Sequence, residues 1–408
     1  MLHSLDDVCV EVTNRCLCYC RHCSSEASIA GFPNELTLDE IKNIIDQAAL
    51  LSASTLPGST KDLRLEELVQ ILPKVAWDFR EEEWIEDLER QLLELRETRR
   101  GRPILALSGG EPLLRPDIRE IATYGKQKGF KIILYTAAVT APGRGLAAQD
   151  AEQWAAILDE DDRVAVSIEG ANAVTFEAMT GVKGHFQIVM DAIELLRRHK
   201  IIVTAHCTPT KLNYREVPAL VKLAAELGVT EVAFLRLVPQ GRALENYDRL
   251  RLNRGEFREL QEIMTEEWKR GERGGDSVKI RWGCPIDFRH LLYPIEKRPC
   301  HGGRDTLVVR PNGEVHPCPA WKDIDELSLG NARTDSLAGL WLDSEVLNLF
   351  RQFTPDDLQG ECYWCANKAL CGGGCPAQRI LANQTRGIKD KRALLAVGPD
   401  PLCFRELL

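Results

Sequence analysis

Three cysteines near the start of the chain, Cys16, Cys20 and Cys23, stand in a CxxxCxxC pattern within TNRCLCYCRHC, with Cys18 as an extra member. Three thiolates on one tight loop can hold three corners of a cubane iron–sulfur cluster. The motif offers no fourth ligand, so one iron would keep an open position, where a substrate or cofactor can bind. A structural zinc site is the alternative, although such sites usually use CxxC pairs. A second set stands near the C-terminus. Cys300 is followed by Gly313 and Cys318; then come Cys362, Cys365, Cys371 and Cys375 in CYWCANKALCGGGC, and Cys403 closes the series. Zinc ribbons are again the alternative for this set.

Two further motifs carry polar chemistry. Ser108-Gly109-Gly110-Glu111-Pro112 leaves an apolar run for a loop, where paired glycines let a ligand approach the backbone and Glu111 offers a carboxylate to a cation. The run VAVSIEG puts Ser167 and Glu169 on alternate positions at its end.

These residues need a scaffold, and the apolar pattern supplies one. Strand-like runs occupy Val8–Val12, Ile104–Leu107, Lys131–Thr136, Val164–Ile168, Ile201–Ala205 and Val232–Leu237. Amphipathic stretches such as DEIKNIIDQAALL and IVMDAIELLRRHK fall between most of them, and Thr37 with Glu40 makes a capping box for the first. Alternating strands and helices predict an α/β fold with a parallel sheet, in which ligands bind at the C-terminal ends of the strands. All three motifs fall at such ends, so they converge on one cavity. Residues 53–102 interrupt this alternation with a charged, helical-looking insertion, far longer than the usual loop of about 2–6 residues. It reads either as a solvated surface hairpin or as a docking surface. From Arg281 onward the sequence becomes rich in Cys, Gly and Pro, as in a small domain tied together by metal.

The totals narrow the class. A net charge of −9 argues against a nucleic-acid partner. No run of about 18 apolar residues is present, which argues against a membrane span, and the N-terminus lacks the pattern of a secretory signal. The expected location is the cytoplasm, where disulfides are rare, so 14 cysteines call for metal or catalysis.

In this order, CxxxCxxC, GGEP and the serine/acid pair resemble the radical S-adenosylmethionine (SAM) superfamily, from about Val8 to Arg242. The later cysteines, CX9-15GX4C…CX2CX5CX3C…C, match its SPASM extension. The resemblance implies a partial (β/α)6 barrel over residues 1–242, a linker with a bridging helix over 243–283, and a cluster-stabilised SPASM domain over 284–408. It implies three [4Fe-4S] clusters. Cys16, Cys20 and Cys23 hold the one that binds SAM. Cys362, Cys365, Cys371 and Cys403 hold an outer auxiliary cluster, and Cys300, Cys318 and Cys375 an inner one, with Cys284 the candidate fourth ligand. It assigns Glu111 to the SAM ammonium, with Gly109 and Gly110 shaping that contact. Ser167 and Glu169 go to the ribose region, and His22 to the place where relatives carry an aromatic beside the adenine.

The sequence departs from the family in three places. Phe176 and Glu177 stand for a usual His-Asp, Thr180 for a usual Arg, and Thr136-Ala137-Ala138 for a common TNG. Arg236 is the candidate to replace the missing arginine. Cys9 and Cys207 read as small buried residues, and Cys18 as a bystander rather than a catalytic thiol.

The implied activity is an oxidoreductase reaction in which a 5′-deoxyadenosyl radical abstracts hydrogen from a substrate. The expected substrate is a ribosomally made peptide, matured by crosslinking, thioether formation or excision. The alternative is a small molecule such as a tetrapyrrole precursor. Pro319 after Cys318 counts against sulfatase maturation, whose enzymes carry an acid there. Expected partners are a separate leader-peptide-recognition protein and an electron donor such as flavodoxin or ferredoxin.

Overall fold

The computed structural model describes residues 3–52, 102–272, 278–283, 287–292, 300–322, 324 and 327–407. Cys284, the candidate fourth ligand, and residues 53–101 of the insertion therefore lie outside the described residues.

Each expected strand forms. They are β1 (Asp7–Thr13), β2 (Ile104–Gly109), β3 (Lys131–Thr136), β4 (Arg163–Ser167), β5 (Val203–Cys207) and β6 (Glu231–Phe234), parallel and side by side in that order. A seventh parallel strand, β7 (Lys279–Trp282), adds to β6 from within the segment expected to be a linker. On the other edge, β8 (Thr306–Val309) pairs in parallel with β1. The strands β9 (Glu314–His316) and β10 (Gly330–Asn331) then extend the sheet antiparallel. The C-terminal cysteine segment is thus built onto the barrel's own sheet.

Strand alternation sorts the side chains into two faces. Val8, Val10, Val12, Leu105, Leu107, Ile132, Leu134, Val164, Val166, Val203, Cys207, Val232 and Phe234 share one continuous core with helix residues such as Ile41, Ile44, Ile193 and Leu220. The other positions, among them Cys9, Glu11, Ser108, Tyr135, Ser167, His206 and Arg281, face the lumen. Cys207 is buried in the core as expected, whereas Cys9 is only half-buried and lies on the lumen side.

The first helix, α1 (Leu38–Leu51), starts on the capping box read from sequence. Thr37 accepts from the Glu40 amide at 3.2 Å, and Glu40 accepts from the Thr37 amide at 2.7 Å. Such a cap is worth about 1 kcal/mol. No described helix is long and apolar enough to cross a membrane.

Candidate active site

The loop leaving β1 carries Cys16, Cys18, Cys20 and Cys23, and packs on Ala137, Val139, Val182 and Ile188. Its shape is set from two sides. From β2, the Gly110 amide donates to the Thr13 carbonyl and the Glu111 amide to the Arg15 carbonyl, both at 2.7 Å. The approach is so close that a Cβ on Gly109 would stand 2.2 Å from the Thr13 oxygen, and one on Gly110 2.3 Å from the Arg15 oxygen. The paired glycines therefore admit the chain's own cysteine loop. From the segment after β6, the buried Arg242 donates Nε to the Cys20 carbonyl at 3.1 Å and Nη1 to the Ala27 carbonyl at 2.6 Å, with its guanidinium over the Tyr19 ring. The Ala243 amide adds a bond to the Cys23 carbonyl.

Glu111 is fully buried. Its carboxylate accepts from the Thr136 hydroxyl and the Ala137 amide, each at 2.7 Å, and from the Leu113 amide at 3.0 Å. It thus ties the end of β3 to the end of β2. Burial outweighs these donors and pushes its pKa up to about 8. The departure at Thr136-Ala137-Ala138 becomes intelligible here. Thr136 holds Glu111, and Ala138 takes a left-handed φ of 60°, the conformation that favours glycine.

His22 and Glu169 meet across the site, with Nε2 3.2 Å from Oε1, and Glu169 also accepts from the Thr208 amide at 2.9 Å. Burial opposes the charged imidazole, but the Glu169 carboxylate overrides it and raises His22 to about 9. The sequence gives no hint of this pairing, because the residues are far apart in the chain. Two buried polar atoms near the cysteine loop, His22 Nδ1 and Thr180 Oγ1, have no partner among the described residues. They suit the polar groups of a bound ligand.

The thiols influence one another. Cys18 donates to the Cys16 sulfur and lowers Cys16 to about 7, and its bond to Cys20 lowers that thiol too. The thiolate is the metal-binding form. Cys18 itself is held protonated, by these same bonds and by burial, and its sulfur lies 3.8 Å from His185 Nδ1.

Arg236 does not serve as a free carboxylate clamp. It is buried in a two-pronged ion pair with Asp400, at 2.6 and 2.8 Å. Asp400 also accepts from the Cys375 and Leu402 amides, each at 2.9 Å. The pair therefore fastens the end of β6 to the C-terminal cysteine segment. A second buried pair, Lys322 to Glu11 at 2.9 Å with Ser25 at 2.6 Å, fastens that segment to β1.

Cys362, Cys365, Cys371 and Cys403 line one cavity together with Gly373, Asp400 and Arg405. Cys318 lies among Cys300 and Cys375, and burial, then those two thiols, pushes its pKa well up. Among the described residues, no three His, Cys, Asp or Glu side chains converge as one metal ion requires. Four thiols lining one cavity are the donor set that the corners of a cubane cluster require.

A parallel half-barrel with a three-cysteine loop at its mouth, joined to a cysteine-rich extension, defines a class of iron–sulfur enzymes that use SAM. Residues 70–224 match the family model of the radical SAM superfamily, and residues 300–366 match SPASM, an iron–sulfur cluster-binding domain. The chain belongs to the radical SAM superfamily, carries a SPASM domain, and is an enzyme. An AdoMet-dependent heme synthase of Methanosarcina barkeri is 28% identical over 91% of this chain and 91% of its own. A PqqA peptide cyclase of Gluconobacter oxydans is 26% identical over 72% of this chain and 75% of its own. Streptococcus suis SuiB bound to SAM shares the fold, with a TM-score of 0.67 at 14% identity over 98% of this chain and 77% of that one.

Proposed function

We propose that the chain takes a hydrogen atom from a ribosomally made peptide and thereby starts a crosslink, thioether or excision. The observation that carries this reading is the rim of the barrel. Tyr19, Ile29, Val174, Leu212 and Leu244 are exposed large apolar residues, and all lie on segments that follow the C-terminal ends of β1, β4, β5 and β6, Val174 and Leu244 in the short helices Ala173–Thr180 and Arg242–Glu245. Exposed apolar side chains on the segments that follow the strands' C-terminal ends suit a substrate that lies across that end and lowers one residue into the lumen.

Cys16, Cys20 and Cys23 would hold the SAM-binding cluster. Cys362, Cys365, Cys371 and Cys403 would hold an outer auxiliary cluster, and Cys300, Cys318 and Cys375 an inner one with Cys284 as its candidate fourth ligand. Bound SAM and its cluster supply a 5′-deoxyadenosyl radical able to attack an unactivated C–H bond. His22, Thr180, Ser167 and Glu169 would orient SAM, while Glu111, Gly109 and Gly110 hold the loop that presents it. In the lumen, the Tyr135 and His206 rings meet edge to face at 4.8 Å. Burial keeps the Tyr135 phenol protonated. Burial, then Arg281 and Arg163, keep His206 neutral, with a pKa of about 3. A neutral imidazole beside a phenol can accept and donate at a substrate without adding charge. Residues 53–102, or a separate protein, would recognise the leader, and a flavodoxin or ferredoxin would supply electrons in the cytoplasm.

The alignment with a heme synthase over nine-tenths of both chains favours a second reading, a small molecule such as a tetrapyrrole precursor as substrate. One experiment separates the two. The iron-loaded protein is incubated anaerobically with SAM, a reductant and a short peptide encoded beside its gene, in parallel with a tetrapyrrole carboxylate. A peptide that loses hydrogen, read by mass spectrometry, supports the first reading. A tetrapyrrole altered while the peptide is untouched replaces it.

A further inference from the structure

Arg379 lies on the helix Pro376–Thr385, which begins immediately after Cys375. It is 1% exposed, and its three guanidinium nitrogens find no hydrogen-bond partner among the described residues. An arginine cannot shed its proton, so a full positive charge is buried there. Such a charge is strongly disfavoured unless something negative faces it. Asp400 is close but already committed. Its two oxygens take two bonds from Arg236 and one each from the Cys375 and Leu402 amides, which fills a carboxylate's acceptor capacity. The remaining negative candidates are thiolates. Cys362, Cys375 and Cys371 are electrostatic neighbours of the guanidinium, two from the outer set and one from the inner.

The backbone makes room for this charge. Gly373 lies between Cys371 and Cys375 at a φ of +77°, and a Cβ there would stand 2.0 Å from Arg379 Nη1. The middle glycine of Cys371-Gly372-Gly373-Gly374-Cys375 is therefore a slot for the guanidinium. The Phe353 ring, 5.6 Å away, closes one side without supplying an acceptor.

We propose that Arg379 is a fixed positive charge placed between the two auxiliary clusters, which raises their reduction potential and fits them to accept an electron. Adding one electron adds one negative charge, and a nearby permanent cation favours that state, since net charge and hydrogen bonds to sulfur set cluster potentials. This inference rests on the auxiliary-cluster assignment proposed above.

The test is an EPR-monitored potentiometric titration of iron-loaded protein in a Cys16→Ala, Cys20→Ala, Cys23→Ala background, where the SAM-cluster signal is removed. Iron and sulfide counts on the unmutated Arg379 protein come first; a chain without auxiliary clusters fails there, and the assignment fails with it. Given the clusters, Arg379→Gln should lower the one-electron reduction equilibrium of at least one of them by tenfold or more, which is 59 mV. Arg379→Lys should stay closer to the parent. Unchanged potentials in a fully loaded Arg379→Gln protein overturn the proposal. If the Gln variant does not load, loading of the Lys variant supports a requirement for charge, and failure of both shows that shape alone is needed, which overturns it.

Discussion

At the scale of single residues, the site is governed by buried charges and their partners. Arg242 makes three contacts that give the cysteine loop its form, and Glu111 takes three hydrogen bonds that tie the end of β3 to the end of β2. The reading of Glu111 as a carboxylate open to a cation overlooked Thr136 and Ala137, which reach it only through the pairing of β2 with β3. Arg242 marks the end of the stretch that resembles the family, but a side chain reaching back more than 200 residues was not visible in the sequence. Arg236 shows the opposite error, since its role depends on Asp400 at the far end of the chain. A lone acid offers a further check of residue-scale electrostatics. Burial, then the Asp305 carboxylate, raise Asp7 to about 6 from 3.8. The native state therefore holds this proton to higher pH than the unfolded chain does. The contribution of Asp7 to stability is best below about pH 4 and is lost as pH rises through about 6. Asp7→Asn should be more stable than the parent by about 1–2 kcal/mol at pH 8, allowing for partial exposure, with little difference at pH 4. Urea melts at the two pH values measure it; an equal difference at both would contradict the assignment.

At the scale of elements, the barrel was largely legible. Period-two apolar runs separated by amphipathic helices located six strands to within a few residues, because these strands bury one face under helices and must alternate. The strand β7 escaped notice. Its four residues, Lys279-Ile280-Arg281-Trp282, carry two cations, one of which, Arg281, is neutralised on the lumen side by Glu231 at 2.6 Å. A short charged strand at a sheet edge gives no hydrophobic signal. The GGEP loop was recognised, but its glycines answer to the cysteine loop they touch. Gly110→Ala should push the Arg15 carbonyl out of place and empty the SAM-cluster site while the barrel stays folded. Iron content should fall by about four per chain, one cubane, with the circular dichroism unchanged. Full iron in this variant would show that the loop does not depend on the close approach.

At the scale of the whole molecule, two buried ion pairs join the barrel to the C-terminal segment. Arg236–Asp400 spans β6 and the run before Cys403, and Glu11–Lys322 spans β1 and the turn after Cys318. Both place the partner acid or base within a few residues of a proposed cluster ligand. Removing Asp400 strands a buried guanidinium and two backbone amides, so Asp400→Ala should cost about 3–5 kcal/mol. It should also release auxiliary-cluster iron before the SAM-cluster site is lost. Thermal melts with parallel iron analysis would reveal this; simultaneous loss of all iron would mean that the pair holds the entire molecule rather than the joint. Sequence alone could place cysteines in sets by spacing, but which acid locks which set to the barrel is a matter of contacts between distant segments.

The most direct test of the account is whether the chain cleaves SAM at the three-cysteine loop. Protein reconstituted anaerobically with iron and sulfide is reduced, given SAM, and assayed for 5′-deoxyadenosine, alongside a Cys16→Ala, Cys20→Ala, Cys23→Ala variant. The account predicts 5′-deoxyadenosine from the parent and none from the variant, with about twelve irons in the parent, as for three cubanes, and about eight in the variant. A parent that binds only zinc and makes no 5′-deoxyadenosine, or a variant as active as the parent, would contradict it.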